Sequence, residues 1–279
     1  MNHTMKITGE RLVEEQYRSS LGGYVIYLMH AASYHFAEKY CRGMRVLDLG
    51  CGSGYGAGAI AEHAKEVHAV DVSAEAIDFA RKKYNQKNIN FSTINPGEKL
   101  PFPDGDFDVV LSFQVIEHVE EDANYLAEAE RGLKKDGILI VITPDRKNRL
   151  FSGQRPWNRW HIREYSGKQI AQLVGQRFDI VSLLQMGAIA QVASVEMKRY
   201  RLLKWLTLPF TFPGAPENWR QFGLNFIHRI KPQHHKTNKP FEPTFGVESI
   251  VLAPQVNNSL NLVVVAKPKN SEHKTVLQG

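Results

Sequence analysis

Long hydrophobic runs are missing from this 279-residue sequence. No stretch reaches the roughly 18 apolar residues that a membrane-spanning helix needs, so none is expected. Cysteine is scarce. Cys41 and Cys51 are the whole supply, too few for a disulfide framework, and a cytoplasmic location is expected. The opening MNHTMKITGERLVEE is polar and mixed in charge and does not read as a secretory signal. No internal repeat is present. Acids are almost absent from one segment: residues 197–240 hold nine Lys/Arg against Glu217 alone. That segment carries +8 of a chain whose net charge is +6, so the rest sums to −2. The basic character is local and points to a local partner.

What is present is an ordinary globular composition, 43% hydrophobic, long enough for one well-cored domain plus an elaboration. After a helix over 24–40, short apolar strands alternate with helices. Strands are expected at 44–49, 67–71, 88–93, 107–113, 137–143 and 178–185, and helices at 55–64, 73–84, 119–133 and 166–176. Ser73 suits an N-cap, with Glu75 and Asp78 near the positive helix start. Such alternation predicts an α/β fold with a parallel sheet and right-handed crossovers. Near-continuous apolar strands fit a sheet buried on both faces. Regularity fails over 186–257, where prolines including Pro209, Pro213, Pro216, Pro232, Pro240 and Pro243 lie among aromatic and basic residues, and a strand returns at 259–266. The simplest topology pairs it with the sixth strand. The expected divisions are a helical approach (1–43), a core (44–185), a basic aromatic insert (186–257), and a final strand with polar tail (258–279).

The cluster Gly50-Cys51-Gly52-Ser53-Gly54 follows the first strand and precedes a helix. Glycines there let the backbone turn and approach a ligand closely, in front of a helix N-terminus with unpaired N–H groups. Asp71 ends the second strand. Its carboxylate can accept hydrogen bonds from both ribose hydroxyls of an adenosine-containing ligand. A dinucleotide site wants G-x-G-x-x-G; here the third position of that pattern is Tyr55. Asp48 stands two residues before the first glycine, placed to order the loop or meet a cationic amine. This combination favours S-adenosylmethionine over NAD.

VLDLGCGSGYG (46–56) resembles the first motif of the class I S-adenosylmethionine-dependent methyltransferases, and AVDVS (69–73) their second. LPFPDGDFDVVLSFQVIEHV (100–119) and LKKDGILIVITP (133–144) resemble the third and fourth. The resemblance covers about 44–185. It implies a Rossmann-like, doubly wound sheet of seven strands with the last antiparallel. By position it assigns Asp48, Gly50, Gly52 and Gly54 to the methionine moiety of the cofactor, Asp71 to its ribose and Val72 to its adenine. Phe113 and Gln114 would border the sulfonium. Relatives usually carry an acid before the Leu-Pro-Phe; here Pro96 stands in its place, leaving Gly97 or Glu98 for the adenine amino group. TGERL (8–12), the helix bearing His30 and Tyr34, and HIREYS (161–166) resemble a subset associated with bacterial surface-polysaccharide biosynthesis. Relatives often place Arg where this chain has Ser33.

Methyl transfer to oxygen is an in-line displacement that needs alignment and usually a base. His118 and His161 are the candidate bases, and Glu164 or Arg163 would orient substrate hydroxyls or a phosphate. The Glu117-His118 pair has a purely structural alternative, fastening the start of a helix. Ser112-Phe113-Gln114-Val115 lacks the Asn/Asp-Pro-Pro-Tyr pattern of amide and exocyclic N-methylation. No acid cluster follows the fourth strand, and His228, His234 and His235 read as solvated, so no metal is expected. KRYRLLKWLTLPFTF (198–212) mixes cations with Trp, Leu and Phe. It reads as a lid over the substrate or as a peripheral contact with an anionic membrane at the inner face; a nucleic-acid surface is less favoured. The expected activity is O-methylation of a sugar, nucleotide-sugar or lipid-linked glycan. The alternative is a quinone-like apolar acceptor. RNA methylation or a non-catalytic cofactor-binding module ranks below both.

Overall fold

The computed structural model describes residues 20–230 and 244–269. TGERL, His234, His235, nearly all of the polar tail and the side chain of His228 lie outside them. Strands β1 (Arg45–Leu49), β2 (Glu66–Asp71), β3 (Ile89–Thr93), β4 (Phe107–Phe113), β5 (Leu133–Pro144), β6 (Phe178–Ala188), β7 (Ile250–Ala253) and β8 (Asn261–Pro268) form one sheet. Their order is β3-β2-β1-β4-β5-β8-β6-β7. Pairing is parallel from β3 across to β5, and β8 lies antiparallel between β5 and β6. The doubly wound sheet with a reversed last strand is therefore present.

One strand exceeds the expected seven. β7 pairs antiparallel with the outer edge of β6, inside the stretch read as irregular. Four residues before Pro254 carry too little periodicity to stand out, and only pairing with the prolonged β6 makes them a strand.

The central strands are apolar on both faces because both are covered. Val46, Val109, Leu111, Ile140 and Ile142 pack on one side with α1 (Leu21–Cys41). Leu47, Val110, Leu139 and Val141 pack on the other with α4 (Asp122–Gly132) and α6 (Gly167–Val174). Helices α2 (Tyr55–Ala61) and α3 (Ala74–Lys83) complete the first half, and α5 (Arg146–Arg149) is a single turn after β5. Ser73 caps α3 by accepting from the Ala76 amide at 3.2 Å. Ser166 and Gln169 form a reciprocal capping box at α6. Strand order reverses between β1 and β4, so the loops leaving these two strands open a crevice at the carboxyl edge, the usual ligand position in such sheets.

The stretch after β6 is a helical hairpin rather than an irregular insert. α7 (Ala190–Thr211) and α8 (Glu217–Ile230) are joined by a tight turn in which Gly214 has φ +93°. Pro209 lies in the last turn of α7. The Thr207 and Thr211 hydroxyls donate to the carbonyls of Leu203 and Thr207 at 2.7 and 2.9 Å, and the Trp219 indole donates to the Pro209 carbonyl at 3.2 Å.

Candidate active site

The loop after β1 is built by positive backbone angles: φ is +95° at Gly50, +53° at Gly52 and +80° at Gly54. A Cβ at Gly50 would meet Val115 Cγ2 at 2.4 Å, whereas at Gly52 it would meet nothing within 4 Å. One glycine serves packing; the other leaves open space on the crevice. The Gly50 and Cys51 amides donate to the Val70 carbonyl at 2.8 and 2.9 Å, tying the loop to β2. Asp71 finishes the clamp, accepting from the Gly52 amide through Oδ2 and the Ser73 amide through Oδ1, both at 2.9 Å. Each oxygen keeps a further lone pair for a ligand hydroxyl. Val72, beside it, is 52% exposed, an apolar side chain placed for a flat apolar partner. Gly97 (φ +74°) faces open space, and the exposed Glu98 carboxylate accepts from Asn95 at 2.8 Å.

Asp48 lies beneath the loop, 1% exposed. The Tyr34 hydroxyl donates to its two oxygens at 3.1 and 3.4 Å. Burial pushes the Asp48 carboxyl up to about 7, against the opposing pull of the Tyr34 hydrogen bond and with help from Asp71. Tyr34 is set edge-on to Phe113 at 4.9 Å and Tyr55 at 5.4 Å between ring centres. It fits because Gly56 has no side chain: a Cβ there would fall 1.9 Å from the ring. Gln114, one residue past β4, has φ +58°, unique among the described non-glycine residues. Its amide donates to the Ile142 carbonyl at 2.7 Å, which holds an otherwise unfavourable conformation in place.

A second cluster follows at the same edge. Glu117 and His118 lie on a 3-10 turn, Ile116–His118, and meet His161 from the loop after α5. The two imidazoles stand edge to face at 4.8 Å between centres. His118 Nδ1 lies 3.0 Å from the Trp160 carbonyl, and His161 Nδ1 lies 2.8 Å from Glu164 Oε1. Glu164 is also gripped by Arg149 through two contacts of 2.9 Å. Burial works to raise the Glu164 carboxyl, but Arg149 and then His161 more than offset it, leaving it well below the usual carboxylate range. Glu117 is fully buried; Oε2 accepts from Thr143 at 2.9 Å and Oε1 has no hydrogen-bond partner. Burial raises its carboxyl despite the neighbouring His161 and His118.

The structure thus places the sequence-derived residues in two groups along one sheet edge. Asp48, Gly50, Gly52, Gly54, Asp71 and Val72 form the first, with Gly97 and Glu98 on the loop after β3. Phe113 and Gln114 lead from it to the second. Glu164 has both oxygens engaged by Arg149 and His161, so it holds His161 rather than reaching for a substrate. Arg163 pairs with Asp122 at 2.6 Å and donates to the Glu120 carbonyl at 2.8 Å. Arg149 and Thr143 carried no sequence signal, since each acts through a residue distant in the chain. Tyr34 was visible only within the surface-polysaccharide resemblance.

Residues 47–141 match the model of a methyltransferase domain. A probable S-adenosylmethionine-dependent methyltransferase of Mycolicibacterium smegmatis is 33% identical over 61% of this chain and 63% of its own length. The matched stretch therefore spans less than two thirds of that relative. A ubiquinone biosynthesis O-methyltransferase of Cereibacter sphaeroides is 31% identical over 43% of this chain and 49% of its own. Among solved structures, an S-adenosylmethionine-dependent methyltransferase from Thermotoga maritima superposes with TM-score 0.54 at 17% identity, covering 88% of this chain and 92% of that one. The [4+2]-cyclase SpnF superposes at 0.52 with 18% identity, over 84% and 80%. The last two speak to the fold alone. The glycine loop, the strand-end acid and the reversed strand agree with this domain match, so residues 47–141 carry a methyltransferase domain similar to those of the class I S-adenosylmethionine-dependent enzymes.

Proposed function

We propose that this protein binds S-adenosylmethionine and methylates a hydroxyl on a sugar of a lipid-linked or nucleotide-linked glycan. The observation that carries oxygen chemistry is the buried Arg149–Glu164–His161 relay beside Glu117 and His118, at the sheet edge that also bears the glycine loop. The crevice residues suit the cofactor: open space at Gly52, lone pairs on Asp71, exposed Val72, and Asp48 as counter-charge for an amine. When bound, S-adenosylmethionine supplies an electrophilic methyl on a sulfonium. Glu164 fixes the His161 ring by accepting from Nδ1, which turns Nε2 into the acceptor for a hydroxyl proton. Arg149 keeps Glu164 ionised. Gln114 is held by the Ile142 carbonyl at the boundary between cofactor and acceptor.

A second reading is a lipid quinol acceptor. It is favoured by the apolar face of the α7–α8 hairpin and by relatives named for ubiquinone biosynthesis and 2-methyl-6-phytyl-1,4-hydroquinone methylation, the latter 26% identical. A lipid-linked sugar and a lipid quinol would each present the hydroxyl on a lipid, in keeping with an exposed apolar hairpin.

The test is transfer of labelled methyl from S-adenosylmethionine to lipid-linked sugars, nucleotide-sugars, quinols and RNA. Label in an alkali-stable ether on sugar is expected, with His161→Ala lowering kcat by about 10²–10⁴-fold. Label in quinol alone selects the second reading. Label in RNA alone overturns both.

A further inference from the structure

We propose that Glu117, His118 and His161 form a divalent-cation site that holds the acceptor's oxygen beside the cofactor crevice. One ligand atom from each residue lies within 4.8 Å of the other two, so small side-chain movements would close them around an ion. The sequence reading expected no metal because it looked for an acid cluster directly after the fourth strand. The set is split instead between the turn after β4 and the loop after α5, and only the fold joins its parts.

What distinguishes this cluster from a chance meeting is the shell behind it. Metal-bound histidines nearly always donate their second ring N–H to a carboxylate or a backbone carbonyl. Here both partners occur: Glu164 behind His161 at 2.8 Å and the Trp160 carbonyl beside His118 Nδ1 at 3.0 Å. The third ligand is held in the same way. Thr143 fixes Glu117 Oε2 at 2.9 Å, while Oε1 is buried without a hydrogen-bond partner. A fully buried carboxylate oxygen left unpaired is costly, and a cation facing two imidazoles would satisfy it. Glu164 in turn is anchored by the buried Arg149, so the ligand geometry is braced two layers deep.

Two imidazoles and one carboxylate leave coordination positions open, as in metal sites that act on a substrate. The donor set suits zinc, manganese, cobalt or iron rather than calcium. An acceptor with two adjacent oxygens, a vicinal sugar diol or a catechol-like quinol, would chelate through them. Coordination lowers the hydroxyl's pKa, and its proton passes to solvent water. The oxygen lone pair then forms the new C–O bond as the S–CH₃ bond breaks, with that pair remaining on sulfur.

The role of the ion rests on the methyl-transfer reading and takes the place of His161 as base, because a metal-bound Nε2 no longer accepts a proton; the ion's binding rests on neither. The experiment is titration of chelator-stripped full-length protein with cobalt(II) chloride, without cofactor or acceptor, followed by visible ligand-field absorption. One equivalent is expected, with the spectrum of a nitrogen- and oxygen-ligated ion. His118→Ala and Glu117→Gln should abolish it, and Glu164→Gln should weaken affinity about 10–100-fold. His118 is the less buried ligand, so its variant tests the site even if Glu117→Gln misfolds; retained S-adenosylhomocysteine binding reports folding. Absence of stoichiometric cobalt binding, or binding indifferent to these variants, overturns the site. Undiminished methyl transfer by chelator-stripped protein overturns the ion's role in holding the acceptor, leaving His161 as a metal-free base and the methyltransferase reading intact.

Discussion

Asp48 shows how a single buried residue sets a pH dependence. The titratable groups facing it are Tyr34 from α1, Cys41 at the end of α1, Cys51 in the loop, Asp71 from β2 and Tyr125 from α4. All are neutral or anionic, so only the Tyr34 hydrogen bond favours its ionisation, and burial outweighs it. Its carboxyl is raised to about 7 in the folded chain, against about 3.9 unfolded. A raised carboxyl stabilises the fold below the unfolded value, and that contribution is lost as pH rises through the folded one. A bound ammonium reverses the preference. Cofactor binding should therefore release a proton below pH 7 and weaken as pH falls, and calorimetry in buffers of different ionisation enthalpy should show it. Asp48→Asn should flatten the profile; unchanged pH dependence would place the ammonium elsewhere. Asp71→Ala tests the neighbouring acid. It removes the acceptor for the Gly52 and Ser73 amides and, on the proposed reading, for the ribose. Affinity for S-adenosylmethionine and S-adenosylhomocysteine should drop about 10–100-fold, the worth of one charge-assisted hydrogen bond.

At the scale of elements, the half of the sheet that carries the glycine loop was legible because its signals are local. A strand, a glycine turn and a capped helix each announce themselves within a few residues, and the acid at 71 lies in register with the loop it clamps. Contacts that cross the sheet were not legible. α1 matters through Tyr34, whose partners Asp48, Phe113 and Gly56 belong to three other elements. The hairpin was hidden for another reason: Pro209 and the Pro213–Pro216 turn read as breakers, yet one falls in a last turn and the others cap the bend. The α1–α2 contact makes its own prediction. Gly56→Ala puts a methyl into the Tyr34 ring, and overpacking of this kind costs about 1–3 kcal/mol. Its melting temperature should fall, and S-adenosylhomocysteine affinity should fall with it, because a displaced Tyr34 no longer braces Asp48. A wild-type melting curve with wild-type affinity would show that α1 moves aside freely.

At the scale of the whole molecule, charge and apolar exposure coincide. Leu202, Trp205, Leu206 and Pro209 follow helical spacing along the exposed side of α7; Trp219, Phe222 and Phe226 do the same on α8. Trp205 is 61% and Phe222 65% exposed, more apolar surface than one hairpin of a monomer ordinarily shows to water. Lys198, Arg201 and Lys204 border the α7 stripe. A second copy docked face to face would set these cations against their own kind, whereas an anionic lipid surface accepts rings and cations together. No described helix is long and apolar enough to cross a membrane, so contact through this hairpin would be peripheral. The sequence located the basic stretch and slightly favoured the lid over the membrane contact, yet a lid would bury the rings that the structure leaves exposed. Co-sedimentation with vesicles decides between them. Binding to phosphatidylglycerol-containing vesicles and not to pure phosphatidylcholine is expected, weakening with salt as screened charges should. Trp205→Ser with Phe222→Ser should remove it without changing S-adenosylhomocysteine affinity. If the double variant still sediments, or the wild type never does, and turnover on a water-soluble acceptor falls instead, the hairpin is a lid over the substrate.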